Sequence, residues 1–274
     1  MSAMKHLAIV FLVAAAAFGQ VSSSAAAPAP QAVPNDQENS RKAKAFLDQA
    51  IAALGGNAYL NIVDISMEGR TYSFHLGIPN SAGELFWRFY KFPDKERIEL
   101  SKKRDWKEVF NGDEGFEITY KGTRRYDAKE LADYLRRRHY SLDWVLRKWL
   151  TEPGIALFDD GPAVAEQKDT EQITILNARN EGVTLYIDAN THLPVKKTFS
   201  WRDPTDKQRN VEAEVYDNYR PMQGIMTPFS VTRYYNGDMS NQRFLNSVKY
   251  NQGLSDSLFA ASATYDPSKP APKK

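Results

Sequence analysis

The sequence predicts an α+β fold, with one large curved antiparallel sheet and helices packed on one face. Three observations carry this expectation. About ten segments of the 274-residue chain alternate with period two or are rich in β-branched and aromatic residues, against about three with helical spacing. The strand segments mostly follow one another through short turns, which favours antiparallel neighbours. The helical segments carry one apolar stripe each, so each needs an apolar surface to lie on.

The chain opens on a targeting pattern. Lys5 precedes an uninterrupted apolar run over 7–18, LAIVFLVAAAAF, and small residues follow. As a helix this run would span about 18 Å, short of the roughly 30 Å hydrocarbon core of a bilayer. The order of charge, short apolar core and small residues predicts a signal peptide over 1–25, cleaved after Gly19 or Ala25. Residues 26–39 read as a flexible linker and 264–274, rich in Pro and Lys, as a disordered tail, which leaves 40–263 as one domain. An exported chain without cysteine fits the bacterial periplasm.

A helix opens the domain. Ala43, Phe46, Leu47, Ala50, Ile51 and Leu54 form its apolar stripe, with Asn39 or Ser40 as the cap and Gly55-Gly56 as the stop. Strands are expected over 64–75, 85–92, 97–101 and 106–110 and, after a reversal at Asn111-Gly112, over 116–120. Along 85–92, Leu85, Trp87, Phe89 and Lys91 share one face, and Phe86, Arg88, Tyr90 and Phe92 share the other. A helical region covers 128–150 in two pieces. Asp127 caps the first, whose stripe is Leu131, Tyr134 and Leu135; Ser141 caps the second, whose stripe is Leu142, Val145, Leu146 and Trp149. Strands return over 172–178, 183–188, 194–200 and 211–219. The segments 227–235 and 238–249 flank Asn236-Gly237, which predicts a type I′ hairpin turn.

Composition excludes several classes. Lys and Arg number 36 against 34 Asp and Glu, a net charge of +2, too balanced to mark a nucleic-acid binder. A mean hydropathy of -0.55 excludes a polytopic membrane protein. The absence of cysteine excludes disulfides, thiolate zinc sites and a cysteine nucleophile. His75, His139 and His192 are far apart and show no metal-binding spacing. No nucleophile elbow, phosphate loop or dinucleotide fingerprint is present, so no catalytic residue, metal or cofactor is assigned. The densest basic cluster is Arg136-Arg137-Arg138-His139 with Arg147-Lys148. It reads either as a surface for anionic lipid headgroups or as a solvated helix face partly offset by Asp133 and Asp143.

Three stretches together resemble the periplasmic outer-membrane lipoprotein carrier family, whose fold is called LolA-like. They are AFLDQAIAALGG before a strand near 62–68, GELFWRFYKFPDKERIEL followed by VFNGDEGFEI, and the pair LYIDANTHLPVKKTF and YRPMQGIMTPFSVTRYYNGD. The resemblance covers most of 40–259 and lies in the order of the parts. It implies an open half-barrel with helices on the concave face, enclosing an apolar cavity for the acyl chains of a lipid or lipoprotein, without covalent chemistry or a cofactor. Each buried methylene contributes roughly 0.8 kcal/mol, so a chain of about 15 offers on the order of 12 kcal/mol before ordering costs. The candidate lining is Leu85, Trp87, Phe89, Leu142, Val145, Leu146 and Trp149, and the headgroup or lid candidates are Arg88, Lys91 and Arg147. The family's lid-latching Arg has no exact match: Lys91 is separated from Pro93 by Phe92. The partners implied are a lipid or lipidated protein and inner- or outer-membrane transport components. A second reading on the same fold is an envelope sensor that binds a partner protein, and a third is an enzyme without a readable motif.

Overall fold

Seven strands follow one another in the first half of the chain. They are β1 (Asp64–His75), the short β2 (Ile78–Pro79), β3 (Glu84–Lys91), β4 (Lys95–Leu100), β5 (Trp106–Asn111), β6 (Glu114–Thr119) and β7 (Gly122–Arg125). Seven more fill the second half: β8 (Ala156–Ala165), β9 (Lys168–Leu176), β10 (Gly182–Asp188), β11 (Pro194–Arg202), β12 (Arg209–Met222), β13 (Ile225–Tyr235) and β14 (Asp238–Tyr250). The computed structural model describes residues 34–268; the expected signal peptide over 1–25 and the end of the tail lie outside them. Sequential strands pair antiparallel within each half. The halves join where β1 pairs β14, from Ile65 opposite Tyr250 to Ser73 opposite Asn241. The result is one open, curved sheet in the order β7-β6-β5-β4-β3-β1-β14-β13-β12-β11-β10-β9-β8, with β2 attached to β1.

This order puts β7 and β8 at opposite edges, so the chain between them has to cross a face. It does so as α3 (Ala128–His139), α4 (Leu142–Arg147) and a 3-10 turn (Trp149–Thr151). The expected caps are in place: Asp127 accepts from the Glu130 N–H at 2.8 Å, and Ser141 Oγ from the Trp144 N–H at 3.3 Å. α1 (Pro34–Leu54) and α2 (Asn57–Leu60) precede β1, and α1 packs on β8, β9 and β13. Its stripe Ala43, Leu47, Ala50 and Leu54 is buried together with Ile173, Ile175, Val183, Leu185 and Ile187 of the sheet. Among the described residues no helix is long and apolar enough to cross a membrane.

Four local expectations are corrected. The first helix begins at Pro34, inside the segment read as linker. Asn39 does not cap it. Its side chain donates to the Asp159 carbonyl at 2.6 Å and accepts from the Asp159 N–H at 3.0 Å, docking the helix on β8. β7 and β8 were not foreseen, because both are edge strands. β8 carries Gly161-Pro162, which reads as a turn but is tolerated at an edge beside the register shift at Asp159/Gly161. The tail begins ordered, since the N–H groups of Thr264 and Tyr265 both donate to the Thr123 carbonyl of β7.

Two features shape the sheet where the cavity forms. The register of β1 shifts between Glu68 and Gly69. A Cβ at Gly69 would lie 2.1 Å from the Phe244 carbonyl oxygen and 2.9 Å from the Phe86 ring, so a side chain there is excluded and Phe86 lies over the gap. On the opposite face, the segment after β14 wraps back over β4 and β5. Asp64 accepts the N–H groups of Gln252, Gly253 and Leu254 at 2.7, 2.8 and 3.0 Å, and Phe259 is fully buried.

The hairpin turn gives a direct test. Asn236 and Gly237 have φ of 51° and 93°, both in the left-handed region that a type I′ turn requires. Gly237→Val strains this backbone by roughly 1–3 kcal/mol. The expected outcome is a lower midpoint in thermal unfolding of the purified domain, and an unchanged midpoint would contradict the turn.

Candidate functional site

Between the sheet and α3–α4 lies a cavity of about 590 Å³. Its floor comes from alternate residues of β1, β3, β4, β5, β12, β13 and β14, and its roof from the end of α1, α2, α3 and the start of α4. One side is apolar and closed. Leu54, Ile62, Ile65, Ile225 and Tyr250 line it, none more than 5% exposed, with Met67, Phe86, Ile98, Leu100 and Leu245 continuing across the floor.

The other side is charged. Arg88 of β3 pairs with Glu96 of β4, whose second oxygen accepts from the Tyr134 hydroxyl of α3 at 2.9 Å. Tyr134 in turn stacks on Phe110, ring centroids 3.5 Å apart. Glu96 thus joins two strands to the roof. Burial pushes its carboxyl up, but the Arg88 charge and hydrogen bond, with the Tyr134 hydroxyl, hold it below the usual carboxylate range. Glu214 of β12 makes the second joint. It binds Arg233 Nε at 2.9 Å and Lys197 Nζ at 2.9 Å, and Lys197 also donates to the Tyr140 carbonyl at the end of α3. Against the penalty of burial, Lys197 and Arg233 hold the Glu214 carboxyl well below its ordinary value. Arg137 and Arg243 also line this side.

The expected site residues are divided by the structure. Leu142 lines the cavity. Val145, Leu146 and Trp149 are no more than 2% exposed and belong to the solid core beside it. The face of β3 is corrected. Phe86, Arg88 and Tyr90 point into the cavity, and Leu85, Trp87 and Phe89 lie on the other face, where the Arg104 guanidinium sits 4.8 Å from the Trp87 ring. Strand 85–92 is apolar on both faces, so alternation finds the two faces without ranking them. Arg88 is in the cavity. Lys91 is not: it binds Asp256 at 2.7 Å and the Leu254 carbonyl at 3.0 Å. Arg147 is a latch rather than a headgroup contact, because it donates to the Leu60 and Ile62 carbonyls and lies 3.8 Å over the Phe92 ring.

The basic run of α3 is likewise dismantled. Arg136 binds Asp133 and Glu212 and stacks on Trp201 at 3.4 Å. Arg138 donates to the carbonyls of Asp94 and Gly112, and His139 contacts Glu181. Arg137 alone in this run faces the cavity without such a partner among the described residues. The sequence reading missed Glu96, Glu214, Arg233 and Arg243. Their readable signal is a charge on the parity of apolar core residues: Arg233 follows Phe229 and Val231, and Arg243 precedes Leu245.

No protein-family model and no curated protein matches the chain. Solved structures do. A DUF1329 family protein from Desulfovibrio piger matches with a TM-score of 0.57 at 14% identity, over 80% of this chain and 97% of that one. A domain from Vibrio parahaemolyticus described as outer membrane lipoprotein-sorting matches with a TM-score of 0.52 at 10% identity, over 79% and 97%. A LolA superfamily protein from Nitrosomonas europaea matches with a TM-score of 0.49 at 13% identity, over 80% and 97%. The chain has a LolA-like fold.

The Arg88–Glu96 joint sets a pH dependence. A carboxyl depressed in the fold adds stability above its unfolded value near 4.5 and loses it as pH falls through the folded value. The melting temperature is expected to hold from neutral pH down to about 5 and then to fall in acid as Glu96 and Glu214 protonate. Glu96→Gln leaves a buried guanidinium without its counter-ion and should lower neutral-pH stability by on the order of 3 kcal/mol in urea titration. A loss within error of zero would mean that this pair does not hold the roof.

Proposed function

We propose that this protein is a non-catalytic binding protein that takes an elongated apolar group, the acyl chain of a lipid or of a lipidated protein, into the cavity under α3 and α4. The observation that carries this reading is the cavity itself: about 590 Å³ left open with a closed apolar end, beside the solid core that α1 forms on β8 and β9. Ligand sites of 300–1,000 Å³ lined by apolar and aromatic groups are the common form. Burying about ten methylenes there would contribute roughly 8 kcal/mol before ordering costs.

The roof is tied to the rest of the fold at a few points. α3 and α4 are held through discrete joints at Glu96, Asp143, Arg147 and Lys197, and their inner surface is the cavity wall. The description of the Vibrio structure as lipoprotein-sorting agrees with an acyl ligand. The leader pattern of Lys5, the apolar run over 7–18 and the small residues after it supports work in the periplasm.

A filled cavity tests the reading. Met67 sits on the floor and is partly exposed into the space. Wild type is expected to bind a dansyl-labelled acyl probe at micromolar concentration, and Met67→Trp to weaken it about tenfold, a change of roughly 1.4 kcal/mol. Melting curves accompany the titration. Absence of probe binding by folded wild type would overturn the acyl-binding reading.

A further inference from the structure

Four arginines form a row inside the cavity. Arg137 enters from α3, Arg233 from β13, Arg243 from β14 and Arg88 from β3. Neighbours along the row repel: Arg137 feels Arg233, and Arg243 feels both Arg233 and Arg88. The two strand partners with carboxylates are Arg88, on Glu96, and Arg233, on Glu214. Arg137 and Arg243 make no hydrogen bond or ion pair among the described residues, and the Nε–H of Arg243 is buried without an acceptor.

The other acids of the cavity are committed elsewhere. Glu130 binds Arg124, Asp133 binds Arg136, and Asp143 accepts from the Tyr59 hydroxyl at 2.9 Å. Glu108 bonds Tyr126, and burial pushes its carboxyl up. Two positive charges are therefore left in a partly dry space with no direct ion pair among the described residues: Glu96 and Glu214 act on Arg243, and Glu212 and Asp133 on Arg137, only from beyond hydrogen-bond reach. Burial and the adjacent Arg88 and Arg233 push the Arg243 pKa down to about 9. A guanidinium does not lose its proton near neutral pH, so the unused donor of Arg243 is open to the oxygen of a bound anion.

The position of the row narrows the anion. Arg233 and Asp133 have side chains 35% and 34% exposed, so this end of the cavity meets solvent, and the space continues inward to Leu54, Ile62 and Ile225. Resting on the acyl-binding reading above, we infer that the arginine row is the headgroup site of an anionic amphiphile. Its phosphate or carboxylate is held by Arg137 and Arg243, with Arg233 between them and Arg88 next to Arg243, and its apolar chain lies toward the closed end. The planar fork of a guanidinium suits two-point binding of such oxyanions.

The experiment compares dodecyl phosphate, dodecanol and inorganic phosphate by calorimetry on the mature chain. Wild type is expected to bind dodecyl phosphate at least about tenfold tighter than dodecanol, a difference of roughly 1.4 kcal/mol, and to lose that margin at high salt. Arg243→Met is expected to bring dodecyl phosphate to the affinity of dodecanol, while the ligand-free variant melts at or above the wild-type temperature, since no pairing is lost. Equal wild-type affinities for the phosphate and the alcohol would overturn the headgroup site and leave the acyl-binding reading standing. Inorganic phosphate binding as tightly as dodecyl phosphate would mark a free-anion site and overturn the amphiphile. Failure of both dodecyl ligands would overturn this inference together with the reading it rests on. A margin retained in folded Arg243→Met would remove Arg243 from the site.

Discussion

The pairing of β1 with β14 is the contact on which the rest of the molecule depends. It joins the first strand to the last over a register running from Ile65 opposite Tyr250 to Ser73 opposite Asn241. Each half is a meander that local turns could build alone. Once the halves share this seam, their free ends become the two edges of one sheet, and the chain that links β7 to β8 must pass over a face. The roof is thus a consequence of topology. Its helices are short, at 12 and 6 residues, and helices of that length are marginal in isolation. They persist because Tyr134 and Trp149 are buried and because Asp127 and Ser141 satisfy their first N–H groups.

One end of the sheet is packed and its middle is hollow, since the cavity floor spans β1 and β3–β5 on one side of the seam and β12–β14 on the other. On the β8–β13 side, α1 lies directly on the sheet and its small stripe, Ala43 and Ala50 between Leu47 and Leu54, permits close approach. Over the cavity the roof rests on polar joints as well as on the stacked pairs Tyr134–Phe110 and Tyr140–Phe199. Glu96 receives Tyr134, Lys197 reaches the Tyr140 carbonyl, and Asp143 receives the Tyr59 hydroxyl. Hydrogen-bonded joints of defined length hold two surfaces apart where interdigitating apolar side chains would draw them together. Buried ion pairs of this kind contribute less stability than an apolar replacement would, but removing one partner is costly. That asymmetry suits a wall that has to keep its position around an open space.

Charge placement separates the functional surface from the scaffold. The convex face also carries charges, one of them the buried Glu99, yet there they are matched: Glu99 binds both Arg97 and Arg104, and the exposed Asp256 binds Lys91 and Lys95. Inside the cavity two guanidiniums make no ion pair among the described residues, while the carboxylates there have found partners. The contrast lies between faces of the same strands, since Arg97 and Glu99 alternate with Glu96 and Ile98 along β4. A strand turns successive residues to opposite sides, so one short sequence serves a closed outer shell and an open inner one.

Much of this was legible in the chain. β1 occupies the span its β-formers mark, the caps Asp127 and Ser141 act where their chemistry puts them, and the Asn236-Gly237 turn has the backbone signs its residues demand. These are local properties, decided by alternation, capping and permitted φ, and a sequence carries them in full. What it could not rank was which face of β3 turns inward, because LFWRFYKF is apolar on both, and the answer depends on Glu96 of the neighbouring strand. Nor could it show that Arg136, Arg138 and Arg147 would be engaged by a carboxylate, by carbonyls and by rings distant in sequence, while Arg137 and Arg243 line the cavity without an ion pair among the described residues. The edge strands β7 and β8 were hidden for a related reason: an edge is paired on one side, so its sequence is less constrained. The sequence by itself determined the elements, their order and the stripe that seats α1. The tertiary structure alone decided which charges remain unpaired, since pairing is a relation between residues that the fold, and not their spacing along the chain, brings together.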